Sequence, residues 1–130
     1  MKKKMLIISW HFSTGGSPQF TLNKVQMLKE DYDILVIEYN CLTLDFVVQR
    51  NKMIELMGIN FYSLGNNKRA EIEDIISTFK PDIISLEEFP EMFMSNEVAW
   101  FVYHNKNRNY KIFETTHDSS FDPYNKRMIP

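Results

Sequence analysis

Apolar residues along this chain fall into two kinds of block. Short, nearly continuous runs recur at Met5 to Trp10 (MLIISW), Tyr32 to Tyr39 (YDILVIEY), Asn60 to Leu64 (NFYSL), Asp82 to Leu86 (DIISL) and Tyr110 to Thr115. Runs of that length, bounded by turn residues, suit strands buried on both faces. Longer stretches with helical spacing lie between them. Residues 18–29 carry Phe20, Leu22, Val25, Met27 and Leu28, spread widely enough to predict a helix wedged between neighbours. Residues 46–57 place Phe46, Val47, Met53, Ile54 and Met57 on one face, with Asp45 as a cap and Gly58 as the stop. Residues 69–79 set Ile72, Ile75, Ile76 and Phe79 inside and Glu71, Glu73 and Asp74 outside, and Lys80-Pro81-Asp82 closes that helix. Residues 94–103 group Met94, Val98, Phe101 and Val102.

Strands alternating with helices predict an α/β fold: a doubly wound, Rossmann-like parallel sheet with helices on both faces. Right-handed crossovers leave few orders, of which 3-2-1-4-5 is expected here. That order has a switch point between strands one and four, and ligands of such sheets sit there, outside the carboxyl ends of the strands. The loops at that edge are His11 to Ser17, Glu87 to Met92 and His117 to Tyr124.

Composition narrows the classes. With 130 residues, 44% apolar and 25% charged, the chain has the makings of one globular domain with a real core. A formal charge of −2 leaves no basic excess for nucleic acid. The one cysteine, Cys41, cannot form an internal disulfide and fits a reducing, cytoplasmic compartment. It has no helix N-terminus or basic neighbour in sequence to activate it and reads as a small buried group. Lys2-Lys3-Lys4 precede apolar residues, but Ser9 and His11 interrupt that run and no small-residue cleavage site follows.

The candidate chemistry clusters in the three loops. Gly15-Gly16 permit a close backbone approach, Ser17 is a plausible N-cap and Pro18 suits the first helical position. A helix starting there would present N–H groups and a positive dipole end to a phosphate, although many strand-to-helix turns use glycine and bind nothing. Neither a dinucleotide fingerprint nor a P-loop is present. His117 follows strand five directly, as a ligand contact or as a capping residue, with Asp118 beside it. Glu87 and Glu88 end strand four; adjacent strand residues face opposite ways, so one at most faces a cleft, and a solvated loop start is the plainer reading. His11 completes the set of cleft-lining candidates. None of these residues has short-range metal-ligand spacing, so no metal is expected. Asp31-Tyr32-Asp33 has a D-x-D form but lies at the amino end of strand two and reads as a turn. Trp100 to Tyr103 reads as core.

Taken together, strand one with Gly15-Gly16 and a helix, then Lys80-Pro81-Asp82-Ile83-Ile84, then Thr115-Thr116-His117-Asp118, resembles the N-terminal domain of a GT-B glycosyltransferase of the retaining family 4, the "glycosyl transferases group 1" type. The resemblance runs over nearly the whole chain. Each motif is short, and their order and spacing carry the weight. It implies an acceptor-side Rossmann-like domain over residues 1–130 of an enzyme of polysaccharide or glycolipid synthesis, using a nucleotide sugar as substrate and no cofactor. It places Gly15-Gly16 near the donor diphosphate or the acceptor, makes His117 the residue that contacts the transferred sugar, and names a saccharide or lipid-linked acceptor. It also implies peripheral contact with the inner membrane face, for which Lys2 to Lys4 are the sequence support. Thr14 and Ser17-Pro18-Gln19 depart from the common family loop, which runs into an acidic or basic residue. The family's second domain, with its E-x7-E donor motif, is expected to lie outside these residues, so this part alone should bind donor weakly and turn over nothing. A different reading takes Ser13-Thr14-Gly15-Gly16-Ser17 as a phosphate loop of a self-contained flavodoxin-like nucleotide-binding module. A third takes the domain as an interaction module with no ligand.

Overall fold

The structure is a computed structural model that describes residues 2–9, 16–39, 48–87, 96–104 and 108–115. Five parallel strands, β1 (Lys3–Ser9), β2 (Tyr32–Glu38), β3 (Phe61–Ser63), β4 (Ile83–Glu87) and β5 (Lys111–Thr115), lie in the order β3-β2-β1-β4-β5. This is the predicted doubly wound sheet. It differs from the flavodoxin-like order 2-1-3-4-5, in which the third strand sits beside the first. Among the described residues four α-helices, α1 (Gly16–Leu28), α2 (Val48–Met57), α3 (Lys68–Phe79) and α4 (Asn96–His104), and a 3-10 turn at Gly58–Asn60 lie between the strands.

Alternation along the strands divides the core into two layers. Met5, Ile7, Ile34 and Val36 pack under Leu22 and Val25 of α1 and Met53 of α2. Leu6, Ile8, Ile37, Ile84 and Leu86 pack under Ile72 and Ile76 of α3 and Val98 and Val102 of α4. The switch from one covered face to the other comes between β1 and β4, as the order requires.

The helices differ from expectation in detail. Ile54 is exposed although the spacing put it on the buried face of α2, and Met27 of α1 is exposed too. Among the described side chains of α1, Thr21, Leu22 and Val25 are buried with Leu28 packed against the same core, while Asn23, Gln26 and Met27 are exposed. α1 begins at Gly16, so Ser17 lies inside its first turn and is not the N-cap. First-turn N–H groups have no helical partner, so a proline at the third position costs no hydrogen bond and the helix extends back past Pro18.

α3 ends at Lys80, which is left-handed with φ 54° and donates its N–H to the Ile76 carbonyl at 2.9 Å. Pro81 disfavours right-handed helix at the residue before it, so the turn falls on a lysine. A side chain in that region is strained. Lys80→Gly is expected to raise stability by about 0.5–1 kcal/mol, read as a higher urea midpoint with an unchanged slope.

Candidate functional site

The last residues of all five strands share one register row across the carboxyl edge. Ser63 pairs with Glu38, Glu38 with Ser9, Ser9 with Glu87, and Glu87 with Thr115. Every residue in the row is polar, directly above a sheet interior that is almost wholly aliphatic. Ser9, Glu38 and Glu87 are each at most 1% exposed. Their alternation relative to Ile8, Ile37 and Leu86 puts them on the face covered by α1 and α2.

Two of these residues are carboxylates, about 10 Å apart across two strand spacings with Ser9 between them. Glu38 Oε1 accepts a hydrogen bond from the Ser63 hydroxyl at 2.7 Å. Glu87 Oε1 accepts from the Ser85 hydroxyl at 2.7 Å and is ion-paired with Lys24. The Lys24 ammonium also donates to Ser85 Oγ at 3.1 Å. Lys24 lies about two turns along α1 from Gly16. Helical side chains lean toward the N-terminus, so its long stem reaches back toward the carboxyl edge, where Ser85 and Glu87 stand.

Glu87 Oε2 is buried and, among the described residues, has no hydrogen-bond partner. Leaving a buried acceptor unsatisfied costs about 1–3 kcal/mol, and more when it is charged. The solvated loop start expected at Glu87 is thus corrected: Glu87 is the final residue of β4, because Thr115 of β5 extends the ladder that far.

Helix N-termini at this edge are not equivalent. α3 is occupied by its own Glu71, whose carboxylate accepts from the Gly65 N–H at 3.0 and 3.1 Å and from the Tyr62 hydroxyl at 2.7 Å. That hydrogen bond, and then the Glu71 charge, raise the Tyr62 phenol above its ordinary value of 10.0. α4 carries Glu97 in its first turn, in contact with Arg69 at 3.2 Å. α1 and α2 have no acidic residue there.

Of the residues predicted for the site, Gly16, Ser17 and Glu87 are brought to the carboxyl edge near the β1–β4 switch. His11, Gly15, Glu88, His117 and Asp118 lie outside the described residues, as does Cys41. Asp31 stands exposed in the turn before β2, as expected, whereas Tyr32 and Asp33 are the first residues of β2 at the amino edge, with Asp33 exposed. Sequence reasoning missed Lys24, Ser9, Glu38 and Ser85. The signal for Ser85 and Glu87 was their i, i+2 spacing in a strand otherwise apolar on both faces. For Lys24 it was the position three residues after Thr21, on the buried stripe of α1.

Clefts lined by described residues open toward the amino edge instead. One is lined by Glu73, Ile76, Lys80, Phe101 and Tyr110, another by Lys4, Tyr32, Asp33, Met57 and Asn60. Neither borders the polar row, and topology places ligands of such sheets at the opposite end of the strands. Among the described residues no three His, Cys, Asp or Glu side chains are grouped to hold a metal ion. No described helix is long and apolar enough to cross a membrane.

No protein-family model matches the chain, and no curated protein sequence matches it significantly. The class that the fold defines is an α/β protein with a Rossmann-like sheet of order 3-2-1-4-5.

Proposed function

We propose that this chain is the acceptor-side, Rossmann-like domain of a retaining GT-B glycosyltransferase. It would work in the cytoplasm and move a sugar from a nucleotide-sugar donor to a saccharide or lipid-linked acceptor. The observation that carries the proposal is the switch point between β1 and β4, with its buried polar row, in a sheet whose motifs follow the order of that family. The α1 N-terminus, free of acidic residues in its first turn, suits the donor diphosphate beside Gly15-Gly16.

In the reaction, the acceptor hydroxyl oxygen bonds to the anomeric carbon on the face the diphosphate leaves. The carbon–oxygen bond to phosphate breaks, and the hydroxyl proton passes to the leaving phosphate oxygen. The protein's part is positioning and charge stabilisation, with His117 against the transferred sugar. Lys2 and Lys3 are exposed at the amino edge, at the far end of β1 from Ser9.

His117→Ala in the full-length protein is expected to lower sugar transfer by more than about tenfold, 1.4 kcal/mol of barrier, with substrate binding less affected. Transfer that falls by less removes His117 from this role. Failure of nucleotide sugars to bind or react at all would overturn the transferase reading.

A further inference from the structure

We propose that Glu87 is a substrate-binding residue, whose free Oε2 accepts a hydrogen bond from a hydroxyl of the saccharide substrate. The proposal rests on the transferase reading only for the identity of the hydroxyl bearer. The need for a donor comes from the side chain itself. An ionised carboxylate only accepts hydrogen bonds, and one of its two oxygens is already used by Lys24 and Ser85. The other is buried with no partner among the described residues, on the last residue of β4, at the switch point where the fold seats ligands.

Charge selects among donors. Lys24 neutralises Glu87, so a second cation would gain little from the carboxylate and be repelled by the ammonium. A phosphate would meet a carboxylate oxygen directly and be repelled as well. A neutral hydroxyl satisfies Oε2 without disturbing the pair. Ser85 and Lys24 grip Oε1 and so hold the carboxylate in one orientation before substrate arrives, which limits the ordering needed on binding. The Lys24 side chain is 24% exposed, so the cluster borders solvent.

The test is ligand-observed NMR with a panel of mono- and disaccharides on the full-length protein, wild type against Glu87→Gln, with thermal melts of both. Glutamine keeps the shape and one acceptor but cannot serve Lys24 and a hydroxyl with an ionised group. The expected result is a saccharide that binds wild type and binds Glu87→Gln at least about tenfold more weakly, with nucleoside diphosphate binding unchanged. Should the glutamine variant fail to fold, Lys24→Met with Glu87→Leu replaces the pair by apolar groups; it is expected to fold and to lose the saccharide. Equal saccharide binding by wild type and a folded variant overturns the role of Glu87 and leaves the transferase reading standing. Binding of nucleoside diphosphate but of no saccharide also overturns it. Binding of neither overturns both.

Discussion

Lys24→Met is expected to destabilise the protein by about 3 kcal/mol, at the lower end of what removing one partner of a buried ion pair costs. The reason lies in what is left behind. Glu87 stays fully buried, keeps only the Ser85 hydroxyl on Oε1, and already has an unpartnered Oε2. The partial exposure of Lys24 lets water approach, which keeps the cost from the upper end. Adding Glu87→Leu should recover most of the loss, because a hydrophobic replacement of both charges is often neutral or better. Urea denaturation of wild type, the single and the double variant gives the coupling directly. A single variant within about 1 kcal/mol of wild type would show that the pair contributes little, as exposed pairs do.

Leu6→Ala is expected to cost about 3–4 kcal/mol, within the range for removing a buried leucine side chain. Leu6 is fully buried in the layer beneath α3 and α4 and is registered with both Leu35 and Ile84. Strands on either side hold its backbone, so the neighbours cannot close on the space left. Ile59, 97% exposed, is the internal comparison: Ile59→Ala should fall within about 0.5 kcal/mol of wild type in the same denaturation series.

The contrast between those two residues marks what was legible in the sequence. Strand positions were readable because a run such as Leu6-Ile7-Ile8 admits few alternatives, and handedness narrowed the strand order to a few, among them the 3-2-1-4-5 observed. Helix faces were readable where charge and apolar groups separated, as in α3. They were not in α1 and α2, where Met27 and Ile54 sit on exposed faces because burial is decided by what lies opposite, which spacing alone does not state. The site was half legible. Glu87 was picked out by its place at the end of β4, but its burial depended on how far β5 extends alongside. Lys24 was invisible for the same reason: its partner lies 63 residues further along the chain.

The central place of β1 has a consequence for how the chain is made. β1 leaves the ribosome well before β4, yet one of its two edges is completed only by β4, with Lys4 bonded to Asp82 across 78 positions. At about 5–20 residues per second, that edge stays open for about 4 to 16 s after β1 emerges. Throughout this interval Leu6, Ile7 and Ile8 form an apolar ribbon with unpaired amides, the kind of segment that recruits other nascent chains. Efficient production of this protein should therefore depend on the speed of translation between the first and fourth strands, and on chaperones able to shield the ribbon until β4 arrives.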